Sequence, residues 1–122
     1  GGYCSDITRT RAPASGVGRR IFEDVKEMQD TLIDSIEIGM TFDELNKNYA
    51  GLMKQKKYTV FHRLGHGIGT TVHEPAPKLE KNTVITIEPG VYLRNTGGCR
   101  IEDMVRIKKK PEVLSCSIPL VL

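Results

Sequence analysis

The hydrophobic pattern of this chain changes period once, near residue 80, and that change most narrows the folds open to it. From Ile21, apolar residues recur at three- and four-residue steps through Val25, Met28, Leu32 and Ile36, with Glu, Asp, Lys and Gln between them. That is the stripe of an amphipathic helix, and Gly39 is a natural stop for it. Thr41 and Glu44 have the spacing of a capping box, which opens a second helix whose buried side carries Leu45, Tyr49, Leu52 and Met53. The lysines at 54, 56 and 57 suit its C-terminal end. Beyond it the period is two. The segment 83-TVITIE-88 reads as a strand ended by a Pro89-Gly90 turn, and Gly97-Gly98 opens another strand running from Cys99 to Lys108. At the other end, residues 2–11 are rich in β-branched and aromatic types and read as a strand, followed by a loop over 12–16. Strand, two helices, then several strands is an α+β order: a mainly antiparallel sheet with two helices on one face.

At 122 residues the chain is read as one domain, 1–122. A net charge of +3 with scattered basic residues gives no stripe for a polyanion, so nucleic acid is not an expected partner. The one basic run, Lys108–Lys110, precedes Pro111 and reads as a strand-end turn. The cysteines at 4, 99 and 116 are odd in number and widely spaced, which fits reduced thiols and a cytoplasmic protein. No apolar run is long enough to cross a bilayer. The longest, Ile118 to Leu122, is expected to be a packed tail.

Strand alternation puts carboxylates in odd places. Val84, Thr86 and Glu88 share one face of their strand; Arg100, Glu102 and Met104 share one face of theirs, and Ile101, Asp103 and Val105 the other. A lone buried carboxylate costs several kcal/mol unless it is paired or metal-bound. All three histidines fall in 62-HRLGHGIGTTVHEP-75, at 62, 66 and 73, among glycines that let backbone and substrate approach. Asp6, Glu88 and Glu102 with one imidazole would suit a divalent ion such as Mn²⁺, Fe²⁺, Co²⁺ or Zn²⁺. The plainer reading also stands at this point: strand-edge carboxylates usually face water, and a loop histidine is usually a surface residue.

Four blocks in order, 3-YCSDITRT-10, 62-HRLGHGIGTTVHEP-75, 85-ITIEPGVY-92 and 97-GGCRIEDMV-105, carry a likeness. The chain resembles the C-terminal part of the pita-bread metallopeptidases, and the first and last blocks resemble the Xaa-Pro dipeptidase and aminopeptidase P branch. The resemblance extends to 112-EVLS-115, similar to the family's closing strand. It implies a curved sheet and the C-terminal half of a catalytic domain, with hydrolysis of the peptide bond before proline. It implies Asp6, His66, Glu88 and Glu102 as metal ligands, Asp6 and Glu102 bridging. It implies Glu88 as a proton shuttle and His73 as a stabiliser of the tetrahedral intermediate. His62 and His73 would bind substrate, while Arg100 and Tyr92 would orient carboxylates and substrate.

Two departures qualify the likeness. The family's fifth ligand, an aspartate in an Asp-x-Gly setting, has no counterpart here, and neither has most of the first half of the domain. Arg63 stands where glycine is usual. The expectations that follow are one strong metal position and one weak or empty one, with Mn²⁺ first and Co²⁺ or Zn²⁺ as substitutes. The site is expected to be incomplete in this chain alone, and the chain to pair with the missing half or with a second copy. The alternative function is an inactive module or fragment that binds other proteins.

Overall fold

The computed structural model describes residues 1–119. Two helices, α1 (Gly16–Asp34) and α2 (Phe42–Gln55), precede five short strands: β1 (Val84–Ile87), β2 (Gly90–Leu93), β3 (Gly97–Arg100), β4 (Asp103–Arg106) and β5 (Glu112–Val113). All strand pairs are antiparallel, in two sheets ordered β1-β4-β5 and β2-β3. The α+β class is as the pattern indicates. Ile21, Val25, Met28 and Leu32 of α1 join Leu45, Tyr49 and Met53 of α2 in one core with Ile85, Ile87, Ile101 and Val105.

The capping box at Thr41 and Glu44 forms in full, with each residue bonding the other's backbone N–H. Helix α1 ends at Asp34, five residues short of Gly39. The Ser35 hydroxyl donates to the Leu32 carbonyl at 2.8 Å, a local bond that competes with continuing the helix. Ile36 is buried all the same, beyond the helix end. Lys56, just after α2, ties back to Asp24 and Glu27 of α1, and the Tyr58 hydroxyl donates to Asp24 as well.

Pro89-Gly90 is not a turn. The chain runs on into β2 and reverses at Arg94–Thr96, where Asn95 takes a φ of 59°. The strand expected from Cys99 to Lys108 is likewise two strands, parted at Ile101-Glu102. The two interruptions face each other. Ile87 pairs with Asp103 and Gly90 with Arg100, so one register continues through a gap in which Glu88 lies opposite Glu102. This is one long hairpin with a break in its ladder. Pro89 has no N–H to give, which is the physical reason for the gap.

Backbone groups left over at the gap find other partners, as buried ones must. Gln29 of α1, almost fully buried, donates to the Ile87 and Ile101 carbonyls, both at 3.2 Å. The Tyr49 hydroxyl of α2 donates to Gly90 O at 3.1 Å and accepts from Gly90 N at 3.2 Å. Burial pushes the Tyr49 phenol above its ordinary pKa, so it stays protonated. Tyr49→Phe should therefore cost about 1–3 kcal/mol, the price of leaving a buried amide and carbonyl without their partner. Urea unfolding would measure it, and an unchanged midpoint would mean that this patch is not needed.

Residues 2–11 do not form a strand. They are held by Cys4 N, bonded to Gly69 O at 2.8 Å, and by an isolated bridge between Thr8 and Glu102. The segment meets one neighbour at each end, so no ladder builds. The closing strand is shorter than 112–115, and only Glu112 and Val113 pair. The expected packed tail does not hold for Ile118, which is 42% exposed, and residues 120–122 lie outside those described. Among the described residues, no helix is long and apolar enough to cross a membrane.

Candidate metal centre

The histidine-bearing loop is laid along the free side of β1. Thr86 N donates to His66 O at 2.9 Å, Glu88 N to Leu64 O at 2.7 Å, and Gly67 bridges Ile85. His66 N in turn donates to the buried Thr86 hydroxyl at 3.0 Å. Gly65 makes this approach possible: a Cβ there would lie 2.0 Å from the Thr86 carbonyl oxygen. The loop therefore behaves as an irregular extra strand, and its register sets His66 beside Glu88.

His66 Nδ1 lies 2.8 Å from Gly67 O. A carbonyl can only accept, so Nδ1 donates there, and in the neutral ring the lone pair falls on Nε2. That nitrogen is 3.5 Å from Glu88 Oε1 and 3.6 Å from Asp6 Oδ2. Ligand atoms of His66, Glu88 and Glu102 lie within 4.8 Å of one another, as do those of Asp6, His66 and His73. The structure thus gathers Asp6, His73, Glu88 and Glu102 about His66 in two overlapping triads. His73 stands against the exposed side of the group, its ring centroid 4.4 Å from that of His66.

Glu88 and Glu102 oppose each other at the ladder gap. Burial first, and the Glu102 charge second, push the Glu88 carboxyl above its ordinary value, against the pull of His66, His62 and Arg100. The Arg100 guanidinium is 4.0 Å away and 43% exposed, a weak counter-charge. Two facing carboxylates and a lone-pair nitrogen in one pocket make a donor set that a divalent cation fits, because it offsets the like-charge repulsion.

His62 repeats the arrangement on the far side of Glu88. Its Nδ1 donates to Arg63 O at 2.8 Å, and its Nε2 accepts from the Tyr92 hydroxyl at 3.0 Å. His62 and Tyr92 are thus paired, and the Arg100 guanidinium lies near the same Glu88. The unusual Arg63 turns outward to a loose pair with Asp43 at 3.5 Å, both groups largely in water, so the departure from glycine is absorbed at the surface.

Several supporting residues escape a reading of the sequence. The Thr8 hydroxyl donates to Glu102 Oε2 at 2.6 Å. Thr86 anchors His66 and sits 3.4 Å from Glu88 Oε1. The Asn46 side chain accepts from Leu64 N at 3.0 Å and holds the start of the loop. Asp103 was visible as a carboxylate on the face of Ile101 and Val105, but its partners lie far along the chain.

Comparison with known proteins bears on what this pocket is. The sequence profile of metallopeptidase family M24 matches residues 1–109. A Xaa-Pro dipeptidase of Pyrococcus furiosus is 40% identical over 86% of this chain and 33% of its own length. Among solved structures, a Xaa-Pro dipeptidase from Bacillus anthracis superposes with a TM-score of 0.87 at 34% identity, over 99% of this chain and 38% of that one. The prolidase from Pyrococcus horikoshii OT3 gives 0.84 at 36% identity, over 93% and 36%. The chain spans between 33% and 38% of the length of these proteins.

Proposed function

Because the chain belongs to metallopeptidase family M24, the pita-bread peptidases, we propose that it holds a divalent cation between Asp6, His66, Glu88 and Glu102 and serves in hydrolysis of the peptide bond before proline. One observation carries this reading. His66 Nε2, its tautomer fixed through Gly67 O, faces Asp6 Oδ2 and Glu88 Oε1 at 3.6 and 3.5 Å. The substrate class rests on the relatives, which are Xaa-Pro dipeptidases and prolidases.

When bound, a divalent ion supplies Lewis acidity and makes water acidic enough to act near neutral pH. The chain's own side chains do the rest. Glu88, partly buried and opposite Glu102 at the ladder gap, passes a proton to the leaving amine. His73, exposed beside His66, stabilises the oxygen on which charge develops. His62, held through Arg63 O and the Tyr92 hydroxyl, binds the peptide. Mn²⁺ is the metal we favour, with Co²⁺ or Zn²⁺ as substitutes, since an imidazole with carboxylates suits a hard-to-borderline ion. The free thiols of Cys4, Cys99 and Cys116 fit a reducing compartment, the cytoplasm. Exposed Tyr3, Phe61 and Val72, all in or beside the segments that build the pocket, fit an assembly with a further part of the domain or a second copy. A sedimentation run showing only monomer at high concentration would count against the second copy.

Hydrolysis is the test. The polypeptide as the cell makes it should cleave an Xaa-Pro dipeptide when given Mn²⁺ and stop when the metal is chelated. His73→Ala should lower kcat by about 10²–10³, the usual cost of one oxyanion donor. Tight metal binding with no cleavage of any Xaa-Pro peptide would refute the reading.

A further inference from the structure

The residues that hold Glu102 in place come from the 8–10 segment, and they hold it at three points. Thr8 O accepts from Glu102 N at 3.0 Å, closing an isolated bridge. Thr8 Oγ1 donates to the carboxylate at 2.6 Å. Arg9 Nη1 donates to the Glu102 carbonyl at 2.7 Å. Glu102 sits at the gap in the hairpin, where no ladder bond to β1 or β2 fixes it. Every backbone hydrogen-bonding group of Glu102 is thus satisfied by two consecutive residues more than 90 positions away.

Arg9 is itself over-determined. Its Nη1 also reaches Thr8 O, and its Nη2 donates to Asp103 Oδ1 at 2.7 Å and to Ser115 O at 3.2 Å. Its Nε donates to Ile118 O at 3.2 Å. The Ser115 hydroxyl donates to the same Asp103 oxygen at 2.5 Å. Asp103 and Ser115 are both buried. One planar fork therefore ties the 8–10 segment, the 102–103 junction and the 115–118 turn together. A lysine could neutralise Asp103, but one ammonium cannot span these carbonyls at once.

We propose that Thr8 and Arg9 are positioning residues that set Glu102, and through the shared segment Asp6, at the spacing a metal ion requires. Thr8 orients the carboxylate and Arg9 fixes the backbone that carries it. Asp6 lies two residues before Thr8 on the same segment, so the clamp ties the backbone that carries Asp6 to that of Glu102. The proposal rests on the metal reading above.

Co²⁺ titration of the full chain, followed by calorimetry and by the visible absorption of the bound ion, tests it. Arg9→Lys keeps the charge beside Asp103, and Thr8→Val keeps the shape of the side chain. Each should weaken Co²⁺ binding about tenfold or more and shift the absorption band, in line with the cost of losing a contact that orients a ligand. Thr8→Ser, which keeps the hydroxyl, should restore both. If Arg9→Lys does not fold, the pair Thr8→Val and Thr8→Ser decides. A fall in melting temperature with affinity and spectrum unchanged would make the clamp merely structural and overturn the proposal. Glu102→Gln separates the two readings. If it weakens binding while Arg9→Lys and Thr8→Val do not, the clamp fails and the metal site stands. If the unaltered chain binds no Co²⁺, both fail.

Discussion

Gly65→Ala is expected to lower the melting temperature by more than ~10 °C, corresponding to a loss of about 3 kcal/mol or more. The added Cβ would lie 2.0 Å from Thr86 O and 2.7 Å from Thr86 C. These are backbone atoms, not the end of a side chain that can swing away. Thr86 is also held from both sides, by its pairing with Met104 in β4 and by the bond from its N–H to His66 O. Either the loop lifts off β1 or the β1–β4 ladder shifts, and both carry His66 away from Glu88. Metal affinity should therefore fall together with stability. Gly51→Ala is the control. That glycine lies in α2 with nothing within 4 Å of a new Cβ, so helix propensity should make the change neutral or stabilising by about 0.5–1 kcal/mol. Equal thermal melts for the two variants would show that the loop does not pack on β1 as described.

The second large effect is on metal binding. Titrated with Mn²⁺ or Co²⁺, the chain should show one tight position and one weak or empty one. His66→Ala should reduce the tight affinity by about 100-fold or more, beyond the ~10–100-fold cost of losing a residue that only supports a ligand. The physical ground is that Nε2 of His66 faces both Asp6 and Glu88. His73→Ala should leave affinity within a few-fold while impairing hydrolysis. The comparison discriminates, because His73 also lies within ligand distance of His66 and Asp6. If His73→Ala costs as much affinity as His66→Ala, then His73 is a ligand and its role as a stabiliser of developing charge is wrong. Two equally tight ions would contradict the unequal pair.

Much of the centre was legible because its residue types are costly where they stand. Glu88 and Glu102 break the apolar rhythm of β-forming segments, and three histidines crowd one glycine-rich loop. The four-block likeness then assigned each a role. What stayed hidden was the polar scaffolding. Gln29 sits on the buried stripe of α1 and looks like a helix residue of no consequence until the Ile87 and Ile101 carbonyls appear beside it. Arg9 looks like one more surface cation until Asp103 closes on it. Pro89-Gly90 has turn chemistry, yet the chain passes straight through, because a break in a ladder and a reversal of the chain draw on the same residues.

By itself the sequence determined the two helices, the capping box and the α+β class, though not the strand expected over residues 2–11. Each depends on neighbours within about seven residues, and the chain carries those neighbours in its text. The tertiary structure alone decided that Asp6, Glu88 and Glu102 each come within ligand distance of His66. It also decided that the hairpin opens at 88–89 and 101–102 to admit them, and which distant groups satisfy the backbone there. Those contacts join positions as far apart as Thr8 and Glu102, separated by 94 residues. Local periodicity holds no record of them, because a hydrogen bond across the fold depends on where the packed core leaves its edges.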